Sequence, residues 1–334
     1  MGKKSNGYNL IKDKTFITID PIKTQIAKQS KIHMQINPKT DHELALLFTR
    51  FAYMQDLENR EFIDEFGNGA DWFFDISRNR PVVSYEATTG VPLSQVNEFF
   101  DLIENKKVAI LIGVGVQKYF EGAQIMRTID SFAAFMGYHK QDAGGVWYLS
   151  NSSFGYKNQF EIKGTNKKVS IAKVDFGSYD VVFIQGANPV VSAPNTQKVI
   201  DGLKKSFVVY FGTTSNDTCE YANLIIPSTS FLAKKDVRLS YGHEFKAISQ
   251  IVKEKDENSI CEYDLTNFLL EAFDFDKLKD EDEIISYYEN NKPILEDFET
   301  FNFIEEVEIE PLYKEKAADN FYFITAKNKN SLNS

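Results

Sequence analysis

The chain has 334 residues, a formal net charge of -10 and a hydrophobic content of 43%, which is enough apolar material for roughly two folded domains. Its 48 Asp and Glu residues against 38 Lys and Arg argue against nucleic acid as the main partner, because neutralising phosphates needs a basic surface. The sequence contains no run of about 20 apolar residues, so we predict no direct membrane insertion. The first residues lack the apolar run of a secretory signal, so we expect a cytoplasmic protein.

The few cysteines and histidines predict no metal site. Cys219 and Cys261 lie too far apart for a CxxC motif, and His139 and His243 have no Cys or second His nearby in the sequence. An iron-sulfur cluster needs about four thiolate ligands. We therefore expect any such clusters only in segments or subunits absent from this chain.

The first half of the chain alternates β-branched or apolar runs with stretches that repeat apolar residues every three or four positions. The former are typical of strands and the latter of amphipathic helices. Strands that alternate with helices usually pair in parallel. In chain order, the pattern predicts a strand at 15–20, a helix at 23–31, a strand at 31–36, a helix at about 42–57, a strand at 107–113 and a helix at 122–137.

The second half repeats this plan after a long loop. Residues 142–168 are rich in Gly, Asn, Ser and Lys without periodicity, which predicts a loop that joins two domains. Residues 274–310 are rich in Asp, Glu and Lys, which indicates a solvated helix and a linker. The other predicted elements are strands at 179–184, 207–211, 222–227 and 320–325, and a helix at 197–205.

These elements predict an α/β fold of two Rossmann-like αβα domains with mostly parallel sheets. We place the first domain at 1–165, the second at 166–290, and an acidic linker with the start of a truncated β domain at 291–334. One strand cannot form a domain by itself, so the strand at 320–325 predicts a further β-rich region beyond this chain.

Candidate binding residues follow two predicted strands of the first domain. Open α/β sheets bind ligands at the carboxyl ends of their strands. The Asp20 carboxylate can accept hydrogen bonds from a guanine edge or a ribose, or it caps the helix predicted after Pro21. Gly113 and Gly115 let the backbone approach a pyrophosphate and Gln117 can donate an amide, or the glycines only permit a tight turn.

The second domain carries a sharper motif where its first apolar strand ends. Gly186, Asn188, Pro189 and Ser192 predict a turn whose backbone amides face a ligand. Asn188 is able to adopt the left-handed conformation and offer an amide, and Ser192 supplies a hydroxyl. Thr218 either contacts a nucleotide or caps a helical turn.

Five short segments, in register over about residues 15 to 245, carry a resemblance to a known family. Together they resemble the molybdopterin oxidoreductase superfamily, and their order along the chain matches it. The segments are 19–24, 37–41, 113–117, 186–189 and 216–227.

Within the superfamily, residues 235–244 and the ending 325–334 are similar to the large iron-sulfur subunit of bacterial respiratory complex I, NADH-quinone oxidoreductase. The resemblance implies that Asp20 contacts the guanosine of a molybdopterin guanine dinucleotide and that the strand at 320–325 opens a C-terminal β-barrel. Several positions depart from the pattern of active pterin enzymes, which puts retention of the cofactor in question. The departures are Lys23 in place of Arg, Ala233 and Asp236 in place of Glu and Gly, and a shortened loop at 144–158.

The resemblance leaves different classes of function open. We expect a structural, non-catalytic part of complex I, peripheral to the inner membrane through other subunits of a respiratory oxidoreductase complex, with no catalytic residue of its own. The alternative is the cofactor-binding part of a molybdenum or tungsten bis-pterin-dinucleotide oxidoreductase, such as a formate dehydrogenase. A nucleotide-binding regulatory module is a third possibility.

Overall fold

The computed structural model describes residues 14–148, 155–159, 167–239, 244–294 and 297–309. In these residues the chain is a mixed α/β protein with mostly parallel sheets, which confirms the predicted fold class. The predicted β-barrel strand at 320–325 lies outside the described residues. The strands are β1 (Ile17–Ile19), β2 (Ile32–Met34), β3 (Gly67–Asn68), β4 (Ala109–Ile112), β5 (Gly145–Tyr148), β6 (Val181–Gln185), β7 (Phe207–Gly212), β8 (Leu224–Pro227), β9 (Asp236–Arg238), β10 (Ala247–Ser249) and β11 (Phe301–Asn302).

Several helices begin at a side chain that accepts a backbone N–H of the first turn, such as Asn59, Asn195 and Asp280. No helix within the described ranges is long and apolar enough to cross a bilayer. The helices are α1 (Asp41–Met54), α2 (Arg60–Phe66), α3 (Ala70–Arg78), α4 (Val82–Thr89), α5 (Leu93–Ile103), α6 (Val114–Gln117), α7 (Gly122–Phe135), α8 (Pro189–Ser192), α9 (Thr196–Leu203), α10 (Glu262–Ala272) and α11 (Glu281–Asn290).

Most strand pairs are parallel, as the alternation of strands and helices predicts. β1 pairs with β2, β4 with β5, and β3 with β11, each in parallel. β6, β7 and β8 form a three-stranded parallel sheet in that order. β9 and β10 form an antiparallel pair.

The chain divides into two compact units, of which the first contains residues 1–150 and 296–320 and the second residues 151–295 and 321–334. These ranges differ from the predicted boundaries, because the segment that contains β11 belongs with the first unit. Aromatic side chains explain this placement: Phe303 is 1% exposed, and its ring centroid lies 5.7 Å from that of Phe73. Phe298 lies against Phe62 and Phe66.

The core of the first unit is built around α1. Phe48 stacks on Phe99 of α5 with 4.3 Å between ring centroids, and its centroid lies 5.4 Å from that of Phe132 of α7. All three side chains are buried. The stripe at 44, 47, 48 and 51 therefore packs toward the core as its helical spacing predicts.

The sheet of the second unit has one buried and one exposed face. Val182 and Ile184 of β6 are buried with Val208 of β7, whereas Val181 and Phe183 are 60% and 44% exposed. Alternate residues of a strand point to opposite faces of the sheet. The packed face is covered by α9, which brings Val199 and Leu203 into the same core.

The helix predicted at 23–31 is only a short 3-10 turn at Ala27–Gln29. The Thr24 hydroxyl accepts the backbone N–H of Ala27, and the Ser30 hydroxyl donates to the Ala27 carbonyl. Such local bonds from side chains to backbone compete with the regular helical ladder. This prediction of a helix was therefore wrong.

The loop predicted at 142–168 contains β5, which pairs with β4 over four residues. A strand this short acquires its stability from its partner, and this partner lies far away in the sequence. The charged segment at 274–310 contains the expected helix as α11, but Ile284 and Tyr288 of this helix are buried. The charged composition of the segment therefore gave no indication that one side of this helix is apolar and buried.

We expect Phe48→Ala to lower the free energy of unfolding of the first unit by about 3–5 kcal/mol, because it removes a buried ring and leaves a cavity. The chain has two tryptophans, Trp72 and Trp147, and both lie in this unit, so tryptophan fluorescence in urea reports its unfolding. The control Val83→Ala, at a side chain that is 64% exposed, should stay within about 0.5 kcal/mol of the wild type. Equal losses in the two variants would contradict this description of the core.

Candidate functional site

The turn after β6 places an open stretch of backbone at the carboxyl end of a parallel strand. Gly186 has a φ of 56°, in the left-handed region that favours glycine. A Cβ added to Gly186 would meet no atom within 4 Å. Asn188, which is able to adopt this conformation, instead has a φ of -125°, and Gly186 is the left-handed residue of the turn.

The same turn presents main-chain donors. Within the described part of the chain, no acceptor takes the backbone N–H groups of Ala187 and Asn188. Gly186 and Ala187 are exposed, and Asn188 is half-buried. An exposed turn with free N–H groups can bind the oxygen atoms of a ligand.

Side-chain bonds fix this turn to the segment that follows β7. Asn188 donates through Nδ2 to Asp217 Oδ2 at 3.0 Å, and its Oδ1 accepts the Thr218 hydroxyl at 2.8 Å. The Thr218 side chain is fully buried, and its hydroxyl also lies 3.4 Å from the backbone N of Val190. The Asn188 amide therefore holds the loop in place and does not point freely toward a ligand.

Ser192 and Pro189 both stabilise the short helix α8. The Ser192 hydroxyl donates to the Asn188 carbonyl at 2.7 Å. Pro189 occupies the first helical position and is buried, where its missing N–H is not needed. The structure thus brings Gly186, Asn188, Pro189, Ser192 and Thr218 together in one cluster of the second unit.

Asn216 belongs to the cluster and was missed from the sequence. Its Oδ1 accepts the backbone N–H of Thr218 at 3.0 Å, so Asn216, and not Thr218, caps the 3-10 turn at Asp217–Tyr221. Its Nδ2 donates to the Ala187 carbonyl and to the Tyr210 hydroxyl. An Asn directly before a helical turn is a recognisable cap, which could have identified this residue.

Asp217 places a negative charge beside the turn. It is exposed, and the hydrogen bond from Asn188 lowers the pKa of its carboxyl, with help from the backbone. An ionised carboxylate accepts hydrogen bonds and does not donate them. This edge therefore favours ligand groups that carry hydrogens, such as ribose hydroxyls or the N–H groups of a purine, over phosphate.

Asp20 lies in the first unit, at the carboxyl end of β1. Its Oδ1 accepts the backbone N–H of Ile22 at 2.9 Å, and its backbone N–H donates to the Met34 carbonyl of β2 at 3.2 Å. The side chain forms a local turn around Pro21. It caps no helix, because the 3-10 turn that follows begins after Ile26.

Gly113 and Gly115 flank the start of α6, and Gln117 ends this helix with an exposed side chain. Gly113 has an ordinary φ of -73°, and Gly115 is not among the glycines with positive φ. A Cβ added at either position would meet nothing within 4 Å. Backbone strain therefore does not require these glycines, and open space in front of them does permit a close ligand.

A polar cluster at the start of α1, which the sequence analysis missed, lies in the same unit as Asp20. Lys39 Nζ lies 2.7 Å from Glu121 Oε2, and Arg80 pairs with Glu43. Burial, with a smaller contribution from Asp20, raises the pKa of Asp41 to about 6. Burial, followed by the charges of Arg80 and Lys39, lowers the pKa of His42 to about 4.

The described residues contain no group of three or more His, Cys, Asp or Glu side chains that could hold a metal ion. Burial raises the pKa of Cys261, and both cysteines are free thiols.

The family model for molybdopterin oxidoreductases matches residues 4–258. The chain belongs to this family. Family membership implies a molybdopterin cofactor. The mixed α/β fold agrees with membership of this family. The structure is similar to that of acetylene hydratase from Pelobacter acetylenicus, with a TM-score of 0.68 at 16% identity over 83% of this chain and 46% of that one.

Curated relatives are oxidoreductases and reductases. A probable oxidoreductase of Bacillus subtilis, YoaE, is 26% identical over 286 residues, which cover 80% of this chain and 42% of that protein. The assimilatory nitrate reductase catalytic subunit of the same organism is 21% identical over 65% of this chain and 36% of its own length. Trimethylamine-N-oxide reductase 1 of Escherichia coli is 20% identical over 70% of this chain and 33% of its own length. The chain thus spans less than half the length of these relatives.

We expect Thr218→Val to loosen the turn after β6, because the variant leaves Asn188 Oδ1 and the Val190 N–H without the hydroxyl. Loss of one partner of a buried polar group costs about 1–3 kcal/mol. Hydrogen exchange of the amides in residues 186–192, measured by mass spectrometry, should become about tenfold faster or more. Thr218→Ser keeps the hydroxyl and should exchange more slowly than the valine variant; equal rates would show that the hydroxyl does not hold the turn.

The neighbouring residues Asp41 and His42 should change the stability of the fold with pH in opposite directions. The folded-state pKa of His42 lies below its ordinary value of 6.5, so its contribution to stability is present above pH 6.5 and is lost as the pH falls toward 4. The folded-state pKa of Asp41 lies above its ordinary value of 3.8, so its contribution is present at low pH and is lost as the pH rises toward 6. One group changes stability by at most about 1.4 kcal/mol per pH unit.

Urea unfolding followed by tryptophan fluorescence between pH 4 and 7 separates the two contributions. Between these limits we expect His42→Gln to lose less stability on acidification than the wild type, and Asp41→Asn to lose more. If both variants shift the pH profile in the same direction, the assignment of the two pKa values is wrong.

Proposed function

We propose that the chain is the cofactor-binding part of a molybdenum or tungsten bis-pterin-dinucleotide oxidoreductase. The observation that carries this proposal is the open turn at Gly186, where two free N–H groups lie beside the Asp217 carboxylate in a chain of the molybdopterin oxidoreductase family.

The relatives favour this function over a structural subunit of complex I. Those named above are a probable oxidoreductase, a nitrate reductase and a trimethylamine-N-oxide reductase, and none is a complex I subunit. The ending at 325–334, which carried part of the complex I resemblance, lies outside the described residues. Residues 240–243, which carried another part of it, also lie outside the described residues.

The residues fit the nucleotide end of a pterin dinucleotide. In the second unit, the Ala187 and Asn188 N–H groups donate to ligand oxygens, and Asp217 accepts from ribose or guanine donors. Asn216 and Thr218 hold these groups in position and exclude water from the base of the turn. In the first unit, Asp20 offers a second acceptor, and the backbone at Gly113 and Gly115 offers a close approach.

When bound, such a cofactor would supply a metal that changes oxidation state. The contribution of the chain is to bind and orient the nucleotide.

The test is the content of guanine nucleotide and metal in the protein. The 334-residue chain should be purified from Escherichia coli cells that synthesise the cofactor, with YoaE prepared in parallel as a positive control. Acid-released guanosine nucleotide and bound molybdenum or tungsten are then measured. We expect both in the wild type, and at least about a tenfold weaker retention in Asp217→Asn, which corresponds to about 1.4 kcal/mol.

The matched control is Asp71→Asn, at an exposed aspartate of α3. It makes the same chemical change away from both turns and should retain the cofactor. A wild-type chain that carries no nucleotide while YoaE does would overturn the proposed function. A direct titration of GDP, followed through the amide signals of Ala187 and Asn188, checks the nucleotide-binding step alone.

A further inference from the structure

A cavity of about 500 Å³ in the first unit lies where three helices end. It is lined by Gln55, which follows the last residue of α1, by Ile103, the last residue of α5, and by Met136, which follows the last residue of α7. Lys106, which also lines it, precedes β4. The cavity therefore lies at the amino end of β4, whereas the candidate binding turn at Gly113 follows the carboxyl end. We call it the helix-end cavity.

The ends of these helices attract positive charge. The last four carbonyl groups of a helix have no partner within the helix, and the helix dipole places about half a negative charge at that end. A basic residue in the last turn often offsets this charge, but the last turns of α1, α5 and α7 contain none. Three helix ends without a compensating cation thus meet at one cavity.

Two carboxylates add to this negative charge. Asp101 and Glu104 line the cavity and are exposed, and their spacing brings them to the same side of α5. Neither carboxylate forms an ion pair with a residue that the structure describes. Lys106 is the basic residue among those of the lining, and it is likewise not ion-paired within the described ranges. The lining as a whole therefore carries an excess of negative charge.

A buried tyrosine at the cavity has a hydroxyl without a partner. Tyr138 lines the helix-end cavity and is 3% exposed. In the described part of the chain no hydrogen bond involves this hydroxyl, although buried polar groups usually have a partner. Burial raises the pKa of Tyr138, so the hydroxyl keeps its hydrogen at neutral pH. Its oxygen is available to accept a hydrogen bond from a ligand in the cavity.

The rest of the lining suits a ligand with an apolar body. Phe51 and Phe100 line the cavity, with 4.9 Å between their ring centroids, and aromatic rings attract organic cations. The volume of about 500 Å³ lies within the range of small-molecule sites, about 300–1,000 Å³. A bare metal ion would leave most of this space unfilled, and the described residues offer no group of three or more His, Cys, Asp or Glu side chains to hold one.

We propose that the helix-end cavity binds a small organic ammonium ion, a linear diamine. Its ammonium groups meet Asp101 and Glu104 and donate a hydrogen bond to the Tyr138 hydroxyl, and its methylene chain lies against Phe51 and Phe100. The bound ion supplies the positive charge that the three helix ends lack, and it stabilises the folded first unit because it binds only that state. The inference does not depend on the proposed function, since the cofactor residues lie at the carboxyl ends of the strands.

The probe is cadaverine, a diamine with a chain of methylene groups, titrated into the isotope-labelled 334-residue protein. Chemical shifts of the backbone amides of residues 103–106 and 136–141 report binding at the cavity. We expect saturable shifts at these amides. The diol of the same chain length has no charge and should cause no shift. Nα-acetyl-lysine amide, which presents the ammonium group of a protein side chain, should bind more weakly because it carries one charge in place of two.

The tyrosine hydroxyl separates ligand binding from a structural role. Tyr138→Phe should weaken cadaverine binding about tenfold or more, because it removes a hydrogen bond to a charged group. The same variant should leave the urea midpoint of the ligand-free protein unchanged, since the hydroxyl has no partner there. The matched control is Tyr85→Phe. Tyr85 is 1% exposed, does not line the cavity, and donates its hydroxyl to the Ser77 carbonyl at 2.8 Å, so this variant should lower the midpoint and leave cadaverine binding unchanged.

The carboxylates have a control on the same helix. The double variant Asp101→Asn, Glu104→Gln should weaken cadaverine binding about fivefold or more. Glu98→Gln changes an exposed carboxylate of α5 that does not line the cavity, and should leave binding unchanged.

Four outcomes would overturn the proposal. The first is the absence of shifts at these amides in excess cadaverine. The second is an equal loss of affinity in Glu98→Gln and in the double variant, which would mean general attraction to an acidic protein. The third is displacement of cadaverine by an equal concentration of Mg²⁺ or Ca²⁺, which would make the cavity a metal site. The fourth is binding of Nα-acetyl-lysine amide as tight as that of cadaverine, which would point to the lysine of a protein partner.

Discussion

The parallel pairing of β6 with β7 is the constraint on which the candidate site of the second unit depends. Parallel strands end at the same edge of their sheet, so the turn after β6 and the segment after β7 meet although they lie about thirty residues apart. Asn216 then bridges them, because its amide reaches both the Ala187 carbonyl and the Tyr210 hydroxyl. Without the pairing, Asn188, Asp217 and Thr218 would share no hydrogen bond.

The sequence predicts the parts of this arrangement that depend on local chemistry. An apolar run followed by Gly-Ala-Asn-Pro marks β6 and its turn, because a strand buried in a sheet is apolar and a left-handed residue favours glycine. The bonding of Asn188 could not be predicted this way. Its partners, Asp217 and Thr218, become neighbours only through the sheet, and these contacts turn an amide expected to bind a ligand into one that fixes the loop.

The first unit shows the same division between local and distant causes. The apolar stripe of α1 was readable because its spacing is a property of one helix. β5 was not, because Gly145–Tyr148 is a strand only by virtue of its pairing with β4. Phe303 was likewise hidden in a charged segment, although it is one of the most buried side chains of the unit. Composition describes the average of a segment, whereas packing depends on individual side chains.

Charge narrows what each turn can hold. A phosphate beside Asp217 would meet a carboxylate whose pKa is lowered and which therefore remains ionised at neutral pH, and like charges repel. The donors of a nucleoside meet no such cost. These donors also suit Asp20, whose carboxylate accepts one backbone N–H and retains further lone pairs. Each unit thus places a carboxylate where a strand ends, and in each a nucleoside fits this carboxylate better than its phosphates do.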